Sequence, residues 1–133
     1  MFQAVNLENI DVMCVVVQGV KNSSQAFSCL ETRLGTLRGR KFYGVLSGNT
    51  ESGIYRACVL IKETDDSNRL RLEKWQIPGG KYIREKIKNW EKNTDLIGIA
   101  FSKMARLNEV DLKRPIIEFY RSQKELVLYL PIR

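Results

Sequence analysis

The order of predicted secondary-structure elements repeats along the chain, and this repeat constrains the fold more than any single motif does. The β-branched, apolar run VMCVVVQ at 12–18 predicts a buried strand. Apolar residues spaced three and four apart then predict an amphipathic helix over 25–37. Two further apolar runs, at 41–47 and 54–63, predict two more strands. The first half of the chain therefore has the order strand, helix, strand, strand.

The second half repeats this order. The segment 70–90 predicts extended chain, with a bulge or a sharp bend where Pro78, Gly79 and Gly80 interrupt it. A second amphipathic helix, expected to pack by its apolar face, is indicated by Leu96, Ile97, Ala100, Phe101, Met104 and Leu107. The runs IIEFYRS at 116–122 and ELVLYLPI at 125–132 then predict a closing strand pair.

Two such units in succession predict an α+β fold. We expect one antiparallel sheet with both helices on one face, and a ligand groove between the two halves. The length fits a single domain spanning 1–133, with approximate halves at 10–66 and 67–133. Phe101 and Met104 are expected in the core, with the wall of the groove as the alternative place for them.

Composition excludes several kinds of chemistry. The chain contains no histidine, and its three cysteines form no Cys-x-x-Cys pair. Serine–histidine and cysteine–histidine catalysis and zinc sites are therefore not expected, and no metal or cofactor is predicted. Because no nucleophile and base stand together, the sequence favours a binding protein over an enzyme.

The charge and the N-terminus suggest where the protein works. The formal net charge is +7, but basic and acidic residues are interspersed and no nucleic-acid-binding motif is present, so direct DNA binding is not expected. No apolar run approaches the ~20 residues of a membrane span. The first residues lack the basic region of a signal peptide, so we expect a cytoplasmic protein.

Glu118 is unusual because it interrupts the apolar strand IIEFYRS. Alternation along a strand places Glu118 and Tyr120 on one face and Ile117 and Phe119 on the other. If Ile117 and Phe119 pack under the helices together with the leucines of the last strand, Glu118 lies on the opposite face. Tyr129 would then lie on the same side as Glu118.

A carboxylate among aromatic rings suits an organic cation. Each ring attracts a cation by about 0.5 to 2 kcal/mol, and the carboxylate supplies the opposing charge. Tyr43 and Trp75 are further candidates for this face. If the carboxylate is partly buried, its pKa should rise. The alternative is that Glu118 is an ordinary solvent-facing residue, paired with Arg121 or a cross-strand lysine.

The closing segments resemble a known family. PIIEFY, a short hairpin and ELVLYLPI resemble the closing hairpin of the GyrI-like small-molecule-binding domain. This is the effector-binding domain of BmrR-type multidrug-responsive transcription activators, and it also forms the GyrI-type gyrase inhibitors. IPGGKYIREK resembles the family's strand with a Gly-x-Tyr segment, and the duplicated element order matches as well.

The resemblance implies roles for particular residues. Glu118 matches the family's groove glutamate, which contacts cationic or polar groups of bound compounds. Tyr129 matches an aromatic residue that lines the same groove, and Tyr120 also faces it. Trp90 falls near a position where many members have glycine, so the entrance is expected to differ there. Trp90 and Trp75 are candidates for stacking on a flat ligand, and the core is the alternative place for both.

Three functions remain open at this stage. The first is a stand-alone module that senses or sequesters amphipathic, cationic aromatic compounds, because the dozen residues before the first predicted strand leave no room for a helix-turn-helix. The second is a hydrolase that opens strained cyclopropane rings, with Glu118 orienting water and Tyr120 or Tyr129 donating a proton. The third is a protein-interaction module, with a transcription regulator or gyrase as the partner.

Overall fold

The structure, a computed structural model, describes residues 2–133. It contains one eight-stranded, curled antiparallel sheet in the order β1-β6-β8-β7-β3-β4-β2-β5. Along the chain, the elements are β1 Gln3–Leu7, β2 Ile10–Gln18, α1 Ser23–Leu34, β3 Phe42–Ser47, β4 Ile54–Leu60, α2 Ser67–Leu70, β5 Glu73–Ile77, β6 Gly80–Lys88, α3 Asp95–Leu107, β7 Ile116–Tyr120 and β8 Glu125–Pro131. The predicted α+β class, the single antiparallel sheet and the repeated element order are confirmed.

The sheet curls because its two edge strands continue two inner strands. β1 leads into β2, and β5 leads into β6, each across a two-residue break. These two long segments pair with each other in one register, from Gln3 opposite Arg84 to Cys14 opposite Glu73. The backbone N–H of Gly79 donates to Asn9 Oδ1 at 2.6 Å, which holds the two breaks side by side.

Each face of the sheet has its own core. On one face, α1 covers β2 and β4, and α3 covers β6 and β8. Leu30 and Met104 are fully buried beneath these helices. On the other face, the curl brings Val12, Ile77 and Tyr82 into a cluster with Ile117. Because both faces of the sheet are packed, successive side chains of a strand can both be apolar, and few strands alternate strictly between apolar and polar residues.

Several predicted boundaries were wrong for local reasons. The strand Gln3–Leu7 was not predicted, because its polar residues hide the alternation of an edge strand. Helix α1 ends at Leu34 and not at 37, because Gly35 takes a φ of 78° and breaks the helix there. The predicted interruption at Pro78 and Gly79 is confirmed as the break between β5 and β6.

Across residues 2–133, every helix is too short or too polar to span a membrane.

Candidate ligand-binding groove

The two units meet at the pairing of β3 with β7. Glu118 of β7 lies opposite Gly44 of β3. The register is symmetric about this pair, since Phe42 pairs with Tyr120 on one side and Leu46 pairs with Ile116 on the other. Gly44 and Glu118 thus occupy corresponding positions of the two units, at the pseudo-twofold axis.

Glycine at position 44 makes room for the carboxylate. A Cβ at Gly44 would overlap the hydroxyl of Tyr55 and come within 2.7 Å of Glu118 Oε1. Glycine weakens a strand interior, so its presence there commonly marks a close approach by other groups. Here the approaching groups are the two polar side chains that meet above the middle of the sheet.

Glu118 is held by two tyrosine hydroxyls. Tyr55 Oη donates to Glu118 Oε1 at 3.0 Å, and Tyr120 Oη donates to the same oxygen at 3.2 Å. Within residues 2–133, no hydrogen bond reaches the second oxygen, Oε2. The carboxylate is therefore fixed through one oxygen and keeps the other for a further partner.

The surroundings of Glu118 disfavour its charge. Burial raises the pKa of the carboxyl group, and the hydrogen bonds from Tyr55 and Tyr120 only partly offset this effect. Burial, followed by the nearby charge of Glu118, also raises the pKa of both tyrosines, which stay protonated donors. No cationic side chain is hydrogen-bonded to Glu118 within the described chain. The expected rise of the Glu118 pKa is thus confirmed.

Aromatic rings form one side of the site. The Phe27 ring packs edge-to-face on Tyr55 and on Tyr120, with centroid distances of 6.3 Å and 5.3 Å. Trp90 packs edge-to-face on Tyr120 at 5.2 Å, and its indole N–H donates to the carbonyl of Ser122 at 3.1 Å. Both tyrosines that hold Glu118 are therefore positioned by rings from outside their own strands.

The space above Glu118 is a groove between the two helices, called the central groove below. Its volume is about 420 Å³, within the range of small-molecule sites. Among residues 2–133, Glu118 is the only acidic residue that lines the groove, and no basic residue lines it. Its other lining residues are Val20, Ser23, Gly44, Leu46, Thr50, Tyr55, Trp90, Thr94, Ile97, Gly98, Phe101, Ile116 and Tyr120. The predicted groove between the halves is present.

Three of the predicted site residues, Glu118, Tyr120 and Trp90, come together in the central groove. The alternative pairing of Glu118 with Arg121 is not found, since Arg121 pairs with Glu125 at 3.1 Å. Of the two residues expected in the core, Met104 is fully buried, whereas Phe101 also lines the groove.

The other three predicted site residues lie on the far face of the sheet. Tyr129 pairs with Ile117 and packs edge-to-face on Tyr82. Tyr43 stacks on Phe119 at 4.9 Å. The guanidinium of Arg56 lies 4.2 Å from the Trp75 ring centroid, and Trp75 packs in the same far-face cluster.

The face assignment of Glu118 was therefore wrong. Glu118 pairs with Leu128, so it shares the helix-covered face with Leu126 and Leu128. Ile117 and Phe119 pack on the opposite face. Alternation gives the phase within one strand, but the phase between two strands depends on their register, which the hairpin sets.

Tyr55 was not predicted as a site residue. It is almost fully buried, at 2% exposed, and its hydroxyl is the nearer of the two donors to Glu118. A tyrosine in an apolar strand is expected in the core. Its position beside the axis follows only from its pairing opposite Leu46. The lone glycine inside the strand FYGVLS was the available signal, because it marks a close approach.

Side chains that could hold a metal are not grouped near this site. No cluster of three histidine, cysteine or carboxylate side chains occurs anywhere in residues 2–133. Glu118 stands among phenols and hydrocarbon groups, which hard cations such as Mg²⁺ do not prefer as ligands.

Comparison with known proteins shows similarity of structure at low sequence identity. No family model matches the sequence, and no curated protein matches it. An integron cassette protein from the mobile metagenome of Vibrio cholerae has a TM-score of 0.76 at 15% identity, over 99% of this chain and 95% of that one.

Two other solved structures also match over the whole chain. The C-terminal domain of EcmrR has a TM-score of 0.68 at 10% identity, over 100% of this chain and 97% of that one. SAV2435, solved with bound tetraphenylphosphonium, has a TM-score of 0.66 at 11% identity, over 100% of this chain and 94% of that one. The chain thus has the GyrI-like fold.

Proposed function

We propose that this protein binds amphipathic aromatic compounds that carry a positive charge, and that the cation lies against Glu118 in the central groove. One observation carries the proposal: among residues 2–133, Glu118 is the only charged residue that lines the groove, whose other lining residues are mainly apolar and aromatic, and its Oε2 accepts no hydrogen bond. A ligand cation would supply the missing opposite charge.

The physical chemistry of the groove favours such a ligand. Burial raises the pKa of Glu118, so a bound cation would relieve an existing electrostatic cost. The rings of Tyr120 and Trp90 would each contribute about 0.5 to 2 kcal/mol for a cation placed over a ring face. The aromatic part of the ligand would pack on Ile97 and Phe101 of α3.

The comparison with solved structures supports this choice of ligand. SAV2435, which has the same fold, was solved with tetraphenylphosphonium. That molecule is a delocalised cation surrounded by four phenyl rings. We extend this ligand class to the present chain because its groove combines a carboxylate with aromatic side chains.

The test compares two ions of nearly equal size and opposite charge, tetraphenylphosphonium and tetraphenylborate, by isothermal titration calorimetry. We expect the cation to bind and the anion to bind far more weakly. Glu118→Gln removes the charge but keeps the shape, so its affinity for the cation should fall about 10- to 100-fold, as for the loss of a charged partner. Glu63→Gln is the matched control, because Glu63 is exposed and lies outside the groove.

Equal affinity of wild type and Glu118→Gln for tetraphenylphosphonium would contradict the proposal. Equal affinity of wild type for both ions would also contradict it, because binding would then depend only on apolar contact.

A second candidate is hydrolysis of a strained cyclopropane ring, as the family resemblance suggested. The specific observation in its favour is that two hydroxyls, of Tyr55 and Tyr120, converge on one carboxylate. Glu118 Oε2 would accept a proton from a water whose oxygen bonds to one ring carbon, while the ring C–C bond breaks and a tyrosine donates its proton to the other carbon. The proton on Glu118 would then return to the tyrosine. Product formed in molar excess over protein, and lost in Tyr55→Phe, would support turnover. Product that never exceeds one mole per mole of protein would argue against turnover and leave binding as the function.

A further inference from the structure

A second cavity, here called the outer chamber, lies beside the central groove. Its volume is about 730 Å³, and it lies between α1 with the loop that follows it and the hairpin that joins β7 to β8. Three residues, Ser23, Trp90 and Tyr120, line both this chamber and the central groove. The two spaces are therefore neighbours.

Two of the shared residues, Trp90 and Tyr120, belong to the aromatic group already described. Phe27 contacts Tyr120, and Tyr120 contacts Trp90, in each case edge-to-face. None of these rings is bonded to another, and only Trp90 and Tyr120 make side-chain hydrogen bonds. A linker that joins the two spaces would therefore lie against Ser23, Trp90 and Tyr120, which line both of them.

The outer chamber differs chemically from the central groove. Four serines line it, at positions 23, 24, 28 and 122. It also contains a second carboxylate, Glu31, which is exposed and makes no ion pair within the described chain. The basic residues of the chamber, Arg40 and Arg121, are already paired with Asp65 and Glu125. The uncompensated charge in this space is therefore negative.

We propose that the central groove and the outer chamber together form one elongated site for molecules with two cationic or hydrogen-bonding ends. One end is an aromatic head group that lies against Glu118, and the other end lies against Glu31. This inference rests on the proposed function, because it assumes that the head group occupies the central groove. It adds the ligand class: two-headed compounds, with a flexible linker that passes Ser23, Trp90 and Tyr120, the residues that line both spaces.

The experiment measures three probes by calorimetry on the full chain. Dequalinium carries two aminoquinaldinium rings on a flexible linker, and an N-alkyl aminoquinaldinium is one half of it. Tetraphenylphosphonium reports on the central groove alone. Dequalinium should bind at least about tenfold more tightly than its half, because the second contact becomes intramolecular.

Two variants isolate the outer chamber. Glu31→Gln should weaken dequalinium by about threefold to fivefold, the range for a solvent-accessible ion pair, and leave both single-headed probes within twofold. Ser28→Trp places a large ring in the chamber from an exposed helix position, so it should remove the advantage of dequalinium over its half. Glu63→Gln is again the charge-matched control.

The outcomes separate this inference from the proposed function. The two-chamber site is wrong if dequalinium binds no more tightly than its half, or if it keeps that advantage in both Glu31→Gln and Ser28→Trp. The proposed function still stands in that case, provided that Glu118→Gln weakens the binding of tetraphenylphosphonium. If tetraphenylphosphonium binds equally well to Glu118→Gln, both proposals are overturned.

Discussion

The two strand-helix-strand-strand units have the same architecture but make different contributions to the groove. At the axis between them, the first unit presents Gly44 and the second presents Glu118. Two symmetric units would place either two glycines or two carboxylates there. Two carboxylates would repel each other in the same small space, and two glycines would leave no charge at all. The asymmetric pair gives one charge and the room to hold it.

Each unit supplies one tyrosine to that charge, but from non-equivalent positions. Tyr55 lies in the fourth strand opposite Leu46, whereas the corresponding position of the second unit, opposite Tyr120, holds Leu126. Conversely, Tyr120 of the second unit corresponds to Leu46 of the first. The comparison shows that duplicated elements provide the groove, and that differences between the copies provide its chemistry.

The arginine that precedes each central strand is also used differently. Arg40 binds Asp65 through both terminal nitrogens at 2.7 Å. Arg114 instead uses Nε on Asp111 at 2.9 Å and reaches the carbonyls of Lys81 and Ile132 with its other nitrogens. In the first unit, the ion pair joins the loop before β3 to the loop after β4. In the second unit, Arg114 joins the loop after α3 to the sheet.

The largest effect on stability is expected from placing a side chain at position 44, where the first unit has glycine opposite Glu118. Gly44→Val puts a branched side chain against Tyr55 and Glu118, so the free energy of unfolding in urea should fall by about 2 to 3 kcal/mol, as for overpacking. The control is Gly98→Ala in α3, where a Cβ meets nothing within 4 Å. It should be neutral or stabilise by about 0.5 to 1 kcal/mol. Equal stability of both variants would contradict the close approach at position 44.

A smaller effect is expected at the ion pair of the first unit. The Arg40 guanidinium lowers the pKa of Asp65 from 3.8 to about 2. The stability that this carboxylate contributes should therefore be present above pH 3.8 and be lost as the pH falls towards 2. Asp65→Asn should cost about 1 to 2 kcal/mol near neutral pH and make unfolding less dependent on pH below 4. An unchanged acid dependence in the variant would contradict the assignment.

Removal of one hydroxyl from the site should have a still smaller effect. Tyr55→Phe deletes the 3.0 Å hydrogen bond to Glu118, and we expect a loss of about 1 kcal/mol in the free energy of unfolding. Tyr43→Phe is matched in chemistry but lies on the far face, stacked on Phe119. It should stay within about 0.5 kcal/mol of wild type. A larger loss for Tyr43→Phe than for Tyr55→Phe would reverse the comparison of the two faces.

The smallest effect near neutral pH concerns ligand binding. Because burial raises the pKa of Glu118 above 4.5, protons should begin to compete with tetraphenylphosphonium at a higher pH than for an exposed glutamate. Its Kd should rise as the pH falls through that raised pKa, and Glu118→Gln should abolish this rise. Calorimetric titrations from pH 8 to pH 4 test it, and a Kd that stays flat in wild type would contradict it.

The sequence predicted the repeat and singled out Glu118 as an unusual residue, because both depend on local patterns. β-branched runs, helical spacing and a carboxylate inside an apolar strand can be read without knowing any partner strand. The sequence did not predict Tyr55, and it placed Tyr129 and Tyr43 on the wrong side relative to Glu118. Those assignments depend on how residues of different strands align, which a one-residue change in register reverses.

The sequence by itself determined which segments form strands and helices, that they occur in two similar sets, and that one acidic residue stands within an apolar strand. The tertiary structure alone decided which face the helices cover, which glycine lies opposite that residue and which two tyrosines reach it. The physical reason is that hydrophobic periodicity is a property of one segment, whereas register and sheet curl are set by contacts between distant segments.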